Sequence, residues 1–124
     1  MSQLPVGTTE QDIVAMRGQR WSRQTLLPLS QGDLTGVILT MTLKRARDLN
    51  LPGDTAALAQ IDNDGLGGVV IDDGSHATFT LAEAVMRSLP DEDIRYDVQA
   101  LLPSGQKETP LIGRFQLARD VTRG

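Results

Sequence analysis

Ile94-Arg95-Tyr96-Asp97-Val98-Gln99-Ala100-Leu101-Leu102, the turn Pro103-Ser104-Gly105, and the return run from Lys107 to Ala118 decide the fold. Ile94, Tyr96, Val98, Ala100 and Leu102 recur at every second position, the period of a pleated strand with one buried face. The Pro-Ser-Gly triplet supplies a tight turn. On the return run Leu111, Gly113, Phe115 and Leu117 share a face, so the two segments form a β-hairpin. Gly113 puts no side chain on that face and marks a bulge or the close approach of a neighbour such as Tyr96 or Trp21. Pro110 has no ladder N–H to give, which predicts an edge position for that part of the strand.

The same signature continues upstream. Val37, Leu39, Met41 and Leu43 alternate with Ile38, Thr40, Thr42 and Lys44, a strand with one buried face. Trp21, Arg23, Thr25, Leu27 and Leu29 share a face of an extended run, and Ile13, Ala15 and Arg17 that of a shorter one ending at Gly18. Residues 57–61, 67–71 and 75–81 read as short strands divided by Asp62-Asn63-Asp64-Gly65 and Asp72-Asp73-Gly74. Turns at this frequency predict an all-β, antiparallel β-sandwich. One helix interrupts it, near residues 81–89: Thr80-Leu81-Ala82-Glu83 spells a capping box and Pro90 stops the run. Two units follow, residues 1–20 as an N-terminal arm with the first strand and residues 21–124 as the sandwich. Residues 1–11, broken by Pro5 and Gly7, read as a floppy terminus or as an arm that orders on a neighbouring subunit.

Composition narrows the function. A net charge of −4 disfavours phosphate binding, and four aromatic residues (Trp21, Phe79, Tyr96 and Phe115) leave none to spare for stacking on bases, so no nucleic acid is expected. The absence of cysteine removes disulfides, thiolate catalysis and sulfur-ligated zinc, in keeping with assembly in a reducing cytoplasm. No run approaches the roughly 20 apolar residues of a membrane span, and residues 1–10 lack the basic start and apolar core of a signal peptide. His76, the lone histidine, reads as a surface residue. Gly65-Leu66-Gly67-Gly68 lacks the Lys-Ser/Thr pair of a phosphate loop. Asp62-Asn63-Asp64-Gly65 resembles a calcium loop, but in that register Gln60 and Ile71 fall where carboxylates are required, so it reads as a turn. Asp91-Glu92-Asp93 reads as a solvated loop. No catalytic residue, cofactor or metal site is expected.

The layout resembles a family of small tail-associated proteins of tailed bacteriophages, similar to the immunoglobulin-like N-terminal domain of phage baseplate upper proteins. The resemblance is carried, over roughly residues 25–123, by Asp33-Leu34-Thr35-Gly36 leading into the strand from Val37 to Arg45 and by a glycine-broken strand pair across residues 57–81. It continues with a short helix ending in Leu89-Pro90, then Tyr96-Asp97-Val98-Gln99, Ser104-Gly105, Gly113 and Val121-Thr122-Arg123. Residues 1–20 have no counterpart, and the segment from Arg45 to Thr55 is longer and more polar than the pattern. The resemblance implies an immunoglobulin-like sandwich in a non-catalytic virion protein, located in the tail and assembled in the host cytoplasm. Its implied role is a tail or baseplate adaptor that joins other tail proteins or receptor-binding fibres, as a homo-oligomer in the particle. Two other functions stay open, a capsid decoration protein and a carbohydrate-binding β-sandwich module. Partner contacts are expected outside the regular strands, at Leu4, Val6, Arg45, Arg47, Leu49 and Leu51.

Overall fold

A computed structural model describes residues 8–49 and 56–118. The strands are β1 (Thr9–Glu10), β2 (Ile13–Met16), β3 (Trp21–Leu26), β4 (Ile38–Arg45), β5 (Ala59–Asp62), β6 (Val69–Ile71), β7 (His76–Leu81), β8 (Ile94–Leu101) and β9 (Lys107–Ala118). A single 3-10 turn, Ala46–Asp48, follows β4, and one helix, α1 (Glu83–Ser88), links β7 to β8. The larger sheet runs β1-β9-β8-β4-β5 with β2 also on β9; the smaller runs β3-β7-β6. The chain thus crosses between the sheets repeatedly, with β1 and β2 in the larger, β3 in the smaller, β4 and β5 in the larger, β6 and β7 in the smaller, and β8 and β9 in the larger, the connectivity of an immunoglobulin-like sandwich with the first strand on the sheet of the last.

The alternation in the sequence becomes the core. Leu39, Met41 and Leu43 from β4, Val98 and Ala100 from β8, and Phe79 and Leu81 from β7 are almost wholly buried between the sheets. Trp21, at the margin, meets Phe115 edge to face at 5.4 Å and 80°. Antibody domains place a cysteine two residues after the tyrosine of the strand that β8 corresponds to; here Val98 follows Tyr96 at that position, and the sheets are joined by apolar packing and by the bridge of Asp62 to Gly68.

Three features depart from the sequence expectations. Residues 8–16 belong to the sandwich, because β1 and β2 pair with β9, and they pair in parallel rather than antiparallel. Pro110 is buried inside β9 rather than at an edge. The register passes from Val98↔Leu111 to Ala100↔Glu108, so Thr109 and Pro110 stand opposite Gln99 alone; this bulge accommodates the missing N–H. The capping box does not form. Thr80 stays in β7, donates its N–H to Gly68 O at 2.8 Å and places its hydroxyl 2.9 Å from that of Ser22. Leu81 is fully buried opposite Trp21, so core packing extends the strand and α1 starts after Ala82 without a side-chain cap. Asp91-Glu92-Asp93 is an exposed loop, as expected, and Arg17, Arg45 and Arg95 bind its three carboxylates at 3.0, 3.0 and 3.1 Å.

Candidate functional site: the outer face of the larger sheet

The strands that send Leu39, Met41, Leu43 and Val98 inward send Thr40, Thr42, Lys44, Asp97 and Gln99 to the opposite face. Register sets them in rows. Thr42 lies between Gln60 and Asp97, and Asp97 is followed by Ile112 and then Glu10. Thr40 lies between Asp62 and Gln99. Together with Leu49, which is 52% exposed, these residues line a concavity of about 570 Å³.

Hydrogen-bonding groups dominate the floor. The Gln60 amide donates to Thr42 Oγ1 at 3.1 Å. Burial raises the Asp97 carboxyl above its usual range, opposed by the Lys44 ammonium and by a hydrogen bond from Gln99. Lys44 itself is buried to 8% exposure. Arg95, at the rim, is committed to Asp93, and their bond lowers the Asp93 carboxyl. The floor therefore offers amide, hydroxyl and carboxylate groups together with the Lys44 ammonium, an arrangement suited to hydrogen bonding.

β1 closes one side of this face. Gln11 N–H donates to Ile112 O at 2.8 Å, Arg114 N–H donates to Asp12 Oδ1 at 3.0 Å, and the Tyr96 hydroxyl donates to Gln11 O. Burial pushes the Tyr96 phenol up to about 12. A Cβ at Gly113 would lie 2.3 Å from Gln11 O and 3.1 Å from Tyr96 Cε1. The close approach expected at this glycine is thus made by Tyr96 together with the backbone of Gln11.

Of the residues expected to bind partners, Leu49 borders the concavity, Arg45 ends β4 in its pair with Glu92, and Arg47 is exposed on the 3-10 turn. Leu4, Val6 and Leu51 lie outside the described residues, as do most of residues 1–11 and residues 50–55. Thr40, Thr42, Gln60, Asp97 and Gln99 were not among the residues expected to bind a partner. Their signal was present as the polar half of each alternation, read there only as the solvent side. The other motifs are occupied by the fold. Asp62 accepts the N–H groups of Asp64 and Leu66, each at 2.9 Å, and Asn63 Oδ1 accepts that of Leu39 at 2.7 Å. His76, half-buried, sits 3.0 Å from Asp73, whose carboxyl is lowered by the Ser75 N–H and by His76.

No family model matches the chain, and no curated protein matches it. Among solved structures it is similar to Drosophila OTK, extracellular domains 3-5, at 16% identity and a TM-score of 0.36, over 94% of this chain and 33% of that one. The chain therefore spans about a third of that structure's length. The immunoglobulin-like description rests on strand order and register.

Proposed function

We propose that this chain is a non-catalytic adaptor domain that holds a protein partner on the concave outer face of its larger sheet. The setting we propose is the one the sequence resemblance implies, the tail or baseplate of a bacteriophage particle. The observation that carries the binding reading is the hollow itself: about 570 Å³ on a sheet face, floored by paired Thr, Gln and Asp side chains. The carbohydrate-binding alternative has less support. Trp21, Phe79 and Phe115 turn to the interior or its margin, and Tyr96, which lines the hollow, is only 4% exposed, so no open ring face is offered to a sugar.

Thr42→Arg tests the reading, since it fills the floor of the hollow from the side opposite the core. In particles produced with the variant, the chain should be missing while the isolated protein keeps its melting temperature. Incorporation equal to that of the unaltered chain would sink the proposal.

A further inference from the structure

Among the described residues, β3 ends the smaller sheet and pairs only with β7, and with six residues it is longer than β1, β2, β5 and β6, the other strands with a single neighbour. Its hydrogen-bonding phase follows from Leu27 N–H donating to Ser75 O, next to the Leu26↔His76 pair. Arg23 and Thr25 therefore bond inward to β7, and the N–H and C=O groups of Ser22, Gln24 and Leu26 point outward. The odd-numbered side chains face the core side, because Arg23 is paired with the buried Phe79. Arg23 nonetheless remains exposed, at the mouth of a narrow cleft that it lines with Trp21, Thr25, Tyr96 and Ile13. Among the described residues, five ion pairs form and Arg23 is in none of them.

We infer that β3 accepts an extended peptide segment as an added strand, and that the segment carries an acidic residue facing Arg23 with apolar residues two positions to either side. The outward backbone groups supply the ladder, as in other cases of strand addition. Alternation then fixes the chemistry of the guest. Its side chains at every second position fall on the core side, one opposite Arg23 and its neighbours opposite Trp21 and Thr25. A carboxylate meets the guanidinium there, while an apolar or basic residue would leave the cation unpaired or repelled. Arg23 also discourages two copies from pairing through this edge in the register centred on it, since that places arginine against arginine. An inward-pointing charge is a known guard on exposed edges; here it doubles as the selector. This surface is separate from the concave face, and neither reading depends on the other.

The probe is a capped heptapeptide, Thr-Val-Thr-Glu-Thr-Val-Thr, titrated into the full isotope-labelled chain and followed through backbone amide resonances. The expected result is shifts centred on Ser22, Gln24 and Leu26, with their amide exchange slowed. The peptide with Lys in place of Glu should bind roughly tenfold more weakly. Arg23→Glu should reverse that preference, which a loss of folding could not imitate. Gln24→Pro removes an outward N–H only and should abolish binding while the remaining amide spectrum persists. Equal binding of the two peptides, shifts centred elsewhere, or no shift with peptide at about 1 mM, where even millimolar affinity would be visible, would each overturn the inference.

Discussion

Gly113 is confined to glycine by the chain that crosses it, since any β-carbon there would lie 2.3 Å from the Gln11 carbonyl oxygen. Gly113→Ala should therefore push β1 off β9 and cost about 1–3 kcal/mol, the usual range for overpacking, with amide exchange accelerating in residues 9–12. Tyr96 secures the same crossing from the other side. Tyr96→Phe deletes one hydrogen bond to Gln11 O and should cost about 1 kcal/mol at neutral pH. Because burial raises the folded phenol to about 12, above the usual unfolded value near 10, the folded protein holds the proton longer. Stability must then fall as pH rises from about 10 to 12, and the Phe variant should lose less over that interval. Asp97 works in the same sense at lower pH. Its carboxyl is raised mainly by burial, so its favourable contribution belongs to low pH and is lost as pH rises through the folded pKa. Asp97→Asn should raise the melting temperature at pH 7, with the gain shrinking below about pH 4. The sequence named Tyr96 as a neighbour of Gly113 because both lie on inward faces of one hairpin. It could not name Gln11, because periodicity does not say which distant segment lies across a strand.

At the scale of elements, alternation was sufficient where one face of a strand is buried and the other is wet. The hairpin β8–β9 and strand β4 were legible for that reason, and Phe115, fully buried against Trp21, should cost about 3–5 kcal/mol on truncation to Ala in a denaturant titration. The short strands were legible from their turns. What local chemistry misread was decided by tertiary contacts. Thr80 has the spacing of a helix cap, yet Leu81 gains more from full burial opposite Trp21 than the helix would gain from one extra turn. Pro110 has the chemistry of an edge, yet a bulge opposite Gln99 lets it sit inside a central strand. The acidic triplet after α1 is the exposed loop its sequence reads as, and the arginines that bind it come from positions 17, 45 and 95, far apart in sequence. These pairs are exposed, so salt screens them readily, and because each contributes little the fold should lose only slight stability when salt is added.

For the whole molecule, the sandwich follows from counting strands and turns, while its function depends on surfaces that the count does not distinguish. Polar residues occur along most strands of the larger sheet, and only the register of β5, β4, β8, β9 and β1 shows that Gln60, Thr42, Asp97, Ile112 and Glu10 fall in one row across a hollow. The expectation of partner contacts at the irregular segments meets that hollow at Leu49 alone among the described residues. An adaptor of a phage tail would use such a face for one neighbour and keep other surfaces for further ones. The most direct measurement of this account is the position of the chain in purified particles. Gold-labelled antibody against the chain should decorate the tail or baseplate end in electron micrographs. Label spread over the capsid, or purified phage particles that carry none of the chain, would contradict the proposed setting.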